Sequence, residues 1–118
     1  MSRPRYNDKK DTNHGIVSTV LVEVCHCERK GKRYQDGLYC GYEVMALDIS
    51  SMPDQTDWLV WVSDIGLAVE VKRPGHEGEL TDGERDWKIH FPARFFVVSE
   101  IDGVMNALSA IVKELEEL

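Results

Sequence analysis

The stretch from Thr56 to Gly75, TDWLVWVSDIGLAVEVKRPG, holds two short apolar runs, 57–62 and 67–72, joined by SDIG. Runs of this length around a turn-forming link predict an antiparallel β-hairpin. No other segment restricts the fold as much, because the runs are apolar at consecutive positions and must be covered on both faces. The exceptions stand at the ends: Asp57 opens the first run, and Glu70 and Lys72 close the second. With the loop centred between Asp64 and Ile65, Val62 faces Leu67, Leu59 faces Glu70 and Asp57 faces Lys72. Strand alternation then puts Asp57, Glu70 and Lys72 on one face. The two acids become diagonal neighbours, ~7–8 Å apart at the backbone.

Two carboxylates held this close raise one another's pKa unless a cation lies between them. A hard ion such as magnesium takes oxygen ligands and keeps several waters, so two carboxylates and a backbone carbonyl suffice. Such an ion activates water and neutralises charge on a phosphoryl oxygen. Lys72 would position the water or stabilise the charged transition state. The plain alternative is an Asp57–Lys72 cross-strand ion pair with Glu70 on a solvated strand face.

The rest of the chain predicts an α/β domain. Residues 1–10 read as a loose basic arm. Ile16, Val17, Val20, Leu21 and Val24 fall on one helical face behind the capping candidates Asp11, Thr12 and Asn13, although the β-branched content makes a strand the competing reading. Residues 28–37, with two glycines and four basic groups, read as a loop, and 42–50 as a strand ending near Asp48. SMPDQT is a turn, and 73–80 is a Gly-rich loop. Thr81 and Glu84 form a capping box opening a short helix to about Ile89. Residues 93–99 read as a buried strand, and 101–117 as a closing helix with Val104, Leu108, Ile111 and Leu115 inward. The hairpin is antiparallel, and the helical crossover after it favours a parallel pairing, so the sheet is mixed.

Charge is unevenly spread. Residues 1–33 hold eight Lys/Arg against four acids, and the remainder six against seventeen, within a net −7. A basic end can touch phosphates while the acidic remainder keeps the chain in solution; a merely solvated charged face is the alternative. No apolar stretch is long enough for a membrane span. Three cysteines without a signal-peptide pattern predict a reduced, cytoplasmic setting.

In order along the chain, KKDTNHGIV, ALDIS…DWLVW, LAVEVKRPG, ELTDGERDW and ARFFVVSEIDGVMNAL resemble the PD-(D/E)XK nuclease superfamily. The likeness is to its small phage-type, VRR-NUC-like members, related to Holliday-junction resolvases, and it runs from about Lys10 to Ile111. It implies a single domain over 1–118 with a restriction-endonuclease-like core: a central mixed sheet of about four strands flanked by helices, in the order α-β-β-β-α-β-α. It also implies metal-dependent hydrolysis of DNA phosphodiesters, on branched or structured DNA, in a bacterial or phage-infected cell. Asp57 and Glu70 would bind magnesium, or manganese in its place, with the Val71 carbonyl; Lys72 would be the catalytic lysine. Lys9, Lys10, Arg29, Lys30, Lys32, Arg33 and Arg73 would contact DNA. A homodimer is expected, since so small a domain covers little duplex alone.

Several positions stay open. Pro53–Asp54 is the literal PD pair and competes with Asp57, which is preferred because the apolar strand starts directly after it. Ile16 stands where many relatives carry a helix-1 Glu, leaving Asn13 or His14 as substitutes. Residues 22–41 form a longer connection than expected, a candidate substrate-contacting insertion. Glu84 is either a site residue or only the capping partner. Cys25, His26, Cys27 and Cys40 lack the usual zinc-knuckle spacing and read as thiols. Trp58, Trp61 and Trp87 read as packing residues, with base stacking as the alternative. No P-loop or dinucleotide-binding glycine pattern is present, so no nucleotide cofactor is expected. The competing function is a nuclease-fold DNA- or protein-binding module without efficient chemistry.

Overall fold

The computed structural model describes residues 13–52 and 55–118. The first helix, α1, consists of two π-helical segments, Asn13–Val17 and Val20–Val24. Helix wins over strand here because Val17, Val20 and Leu21 are buried together, with Ile16 packed partly against them. The wider turn, marked by Cys25 N–H donating to the Val20 carbonyl at 3.0 Å, rotates Val24 off the face an α-helical period predicts. Val24 is accordingly exposed.

Six strands follow: β1 Glu28–Arg29, β2 Tyr34–Tyr39, β3 Tyr42–Asp48, β4 Trp58–Val62, β5 Ile65–Val71 and β6 Phe95–Val98. They form one sheet in sequence order. All neighbours are antiparallel except β5 and β6, which are parallel and joined through α2, Asp82–His90. The closing helix, α3, is Ile101–Glu116. Mixed α/β architecture is thus as expected, but the strand count is six rather than about four. The segment expected as a loop, 28–37, carries β1 and the start of β2. Gly37 there marks a close crossing, not a break: a Cβ on it would lie 2.2 Å from the Cys25 carbonyl oxygen.

The hairpin register also differs. Val62 pairs with Ile65, Leu59 with Ala68 and Trp58 with Val69. The turn is the two-residue Ser63–Asp64, with Ser63 at φ +56°, rather than SDIG. Ile65 joins the strand because it is buried opposite Val62. The shift is two residues, so every side chain keeps its expected face, but the continued register sets Asp57 opposite Glu70 rather than Lys72.

One sheet face is closed by α1 and α3. Val44, Ala46, Trp58, Val60, Val62, Leu67, Val69, Val71 and Val98 meet Val104, Ala107, Leu108 and Ile111 there. The other face, with Met45, Leu47, Leu59, Trp61, Phe95 and Val97, is only half-buried. No helix among the described residues is long and apolar enough to cross a membrane.

Candidate functional site

Backbone pairing between β4 and β5 starts at Trp58, and the two residues before it continue the pairing through side chains. The buried Thr56 hydroxyl donates to the Val69 carbonyl at 3.0 Å. Asp57 Oδ2 accepts from Val71 N–H at 2.8 Å. Asp57 is therefore buried, 7 % exposed, and clamped to the carboxyl end of β5. Its own carbonyl accepts from Ile49 N–H at 3.0 Å, tying it to the end of β3 as well.

Glu70 is fully buried. Neither carboxylate oxygen finds a hydrogen bond among the described residues; the nearest cation is Lys72 Nζ, 3.6 Å from Oε2. A buried acid so poorly satisfied is rare, because each unmade hydrogen bond costs the desolvation of the group. Burial first, then the charge of Asp57 and the neighbouring Glu84, pushes its pKa up to about 9. As carboxylates Glu70 and Glu84 can only accept hydrogen bonds; a proton on Glu70 makes it a donor to Glu84.

Lys72 joins the two halves of the site. Its ammonium donates to Glu84 Oε1 at 2.9 Å. The same oxygen accepts from Thr81 N–H at 2.9 Å, while Glu84 N–H donates to Thr81 Oγ1 at 3.2 Å. The capping box and the site contact are thus one arrangement, and the two roles open for Glu84 in the sequence coexist. Burial opposes the charge on Lys72, but the Glu84 hydrogen bond and the Glu70 charge outweigh it, so the amine is held above its ordinary value. Burial likewise opposes ionisation of Glu84, yet the contacts with Glu70, Thr81 and Lys72 hold its carboxyl well below the ordinary range.

Asp57, Glu70, Lys72 and Glu84 therefore come together, with Val71 between the acids. Among the described residues no group of three His, Cys, Asp or Glu is gathered for a metal ion; the expected set has two carboxylates and a carbonyl. The orphaned Glu70 oxygens fit a hard cation. Asn13 and His14 lie in the first segment of α1, Ile16 packs toward the core, and Lys9, Lys10, Pro53 and Asp54 lie outside the described residues.

The basic residues partly converge. Asp48 N–H donates to the Arg33 carbonyl at 2.8 Å, and Asp48 pairs with Trp58. The β1–β2 turn with Lys30, Lys32 and Arg33 is thereby joined to the end of the sheet where Trp58 begins beside Asp57. Arg29 is spent on that turn, donating to the Lys32 carbonyl at 2.8 Å, and Lys30 lies 3.9 Å from Asp36. Arg73 lines a cavity of about 150 Å³ with Lys72, His76 and Glu79.

A cavity of about 560 Å³ elsewhere touches none of the four site residues and carries Glu28, Asp36 and Glu43 on its wall, so it is ill suited to a phosphate. Trp58 is core; Trp61 lies against Gly66, and Trp87 packs on Phe91 at 5.3 Å. Cys25 and Cys27 are buried and Cys40 exposed, all as free thiols. Two features escaped the sequence reading: the clamp made by Thr56, signalled only by a polar pair before an apolar run, and the His76–Glu79 contact in the Gly-rich loop. Neither protein-family models, nor curated protein sequences, nor solved structures give a match to this chain.

Proposed function

We propose that the chain is a magnesium-dependent endodeoxyribonuclease of the PD-(D/E)XK type with a restriction-endonuclease-like core. The supporting observation is Glu70: a fully buried carboxylate without a hydrogen bond among the described residues, beside Asp57, at the carboxyl end of a parallel strand pair. Such a group is satisfied by a cation. Asp57, Glu70 and the Val71 carbonyl would hold magnesium or manganese, which supplies a water of lowered pKa and charge neutralisation on the phosphate. Lys72, kept as an ammonium by Glu84, faces the charge that develops on the phosphoryl oxygens. The turn basic residues and Arg73 would hold flanking phosphates without reading sequence. Branched or structured DNA is the substrate class, and a cytoplasmic homodimer the working form.

The test is cleavage of four-way, flap, single-stranded and linear DNA with magnesium or manganese. Activity that Glu70→Ala and Lys72→Ala each abolish supports the reading; activity unchanged in either variant removes the assignment. A binding module without chemistry is the second reading. It is favoured by Lys72, whose ammonium already stands 3.6 Å from Glu70 and can neutralise it without a metal. DNA binding without cleavage under every divalent ion would establish it.

A further inference from the structure

The loop between β5 and α2 folds back on itself beside Lys72. His76 N–H donates to the Arg73 carbonyl at 2.9 Å, and Glu79 N–H to the His76 carbonyl at 3.0 Å. These turns bring His76 Nδ1 to 2.8 Å from Glu79 Oε2. An ionised carboxylate only accepts, so the contact assigns a proton to Nδ1 and leaves Nε2 as the working nitrogen. The ring lines the cavity of about 150 Å³ that also contains Lys72 and Arg73. Water takes about 30 Å³ in the liquid, so the space has room for a phosphate group, and the two cations on its wall suit one. Since Lys72 also touches Glu70 and Glu84, this cavity and the carboxylate site share a wall.

We propose that His76 is a catalytic residue, the proton donor to the leaving sugar oxygen, with Glu79 as its positioning residue. The inference rests on the nuclease reading above. Water oxygen bonds to phosphorus as the phosphorus–oxygen bond to the leaving sugar breaks with its electron pair. The imidazolium Nε2 proton passes to that oxygen, giving an alcohol and a phosphomonoester. The proton lost by the water goes to solvent, which also restores the imidazolium. Of the other groups facing the ring, arginine does not release its proton, and Lys72 is held charged by two carboxylates.

The experiment compares manganese-supported cleavage of three substrates by wild type, His76→Ala and Glu79→Gln. One substrate is an ordinary phosphodiester; the others carry sulfur at the 3′- or 5′-bridging leaving position. A thiolate leaves without protonation, its conjugate acid having a pKa of about 8.5. His76→Ala is expected to slow the ordinary substrate on the order of 10²-fold or more and to be rescued on one sulfur-bridged substrate. Glu79→Gln, whose amide no longer fixes the Nδ1 proton, is expected to slow the ordinary substrate less and to be rescued on the same sulfur-bridged substrate as His76→Ala. Equal slowing on all substrates, or slowing on none, overturns the role of His76 while leaving the nuclease reading intact. No cleavage by wild type of any substrate overturns both.

Discussion

At the scale of single residues, Glu70 dominates. Its raised pKa means that the cation-free folded state holds a proton that an unfolded chain releases near 4.5. The stability this proton gives is full below that value and is lost as pH rises toward 9. Glu70→Gln, neutral throughout, should therefore raise the melting temperature little near pH 5 and by about 5 °C or more near pH 8.5 in the absence of divalent ions. Added magnesium should stabilise the wild type and not the variant. Calorimetry at both pH values, with and without magnesium, checks this. Thr56→Val leaves the buried Val69 carbonyl without its donor and should cost about 1–3 kcal/mol in urea unfolding.

At the scale of elements, α2 and the site stand or fall together. Thr81→Ala removes one side of the capping box, at a cost of about 1 kcal/mol. The substitution keeps the residue-81 backbone N–H on Glu84 Oε1 but removes the hydroxyl that accepts from Glu84 N–H; the loosened turn holds the Glu84 carboxylate less firmly on Lys72, so the same change should lower DNA cleavage while leaving DNA binding unchanged, and rates under saturating substrate against anisotropy measurements separate the two. Gly37→Ala drives a methyl into the Cys25 carbonyl and should lose several kcal/mol, on the scale of overpacking. These elements also mark what the sequence revealed. The capping box, α3 and the hairpin were legible because each has a local periodicity or pairing signal. The β1–β2 hairpin was hidden because charged turn residues and a glycine read as loop, whereas the glycine is set by a backbone crossing from Cys25. The two-residue error in hairpin register came from assigning Ile65 and Gly66 to the turn, when burial of Ile65 draws them into the strand. Because strand alternation has a period of two, that error preserved the faces, so Asp57 and Glu70 remain neighbours on one face although the partner directly opposite Asp57 changes from Lys72 to Glu70. Thr56 and Glu79 have no periodic signature, so their contacts emerge only from the fold.

At the scale of the whole molecule, the charge distribution supplies a directional test. The net charge is −7, yet the β1–β2 turn and Arg73 lie toward the carboxylate end of the sheet. If DNA docks at that end, replacing Lys32 and Arg33 with alanine should weaken binding similarly across DNA sequences and flatten the salt dependence by about one unit per lost phosphate contact. Fluorescence anisotropy over a range of salt concentrations measures both. The proposed chemistry requires that the buried carboxylate of Glu70 share a divalent ion with Asp57. The direct measurement is anomalous diffraction from crystals soaked in manganese. The expected result is a peak within about 2.0–2.3 Å of both carboxylates and the Val71 carbonyl, with Lys72 retained by Glu84. No peak at saturating manganese, with Lys72 still the cation beside Glu70, would contradict it.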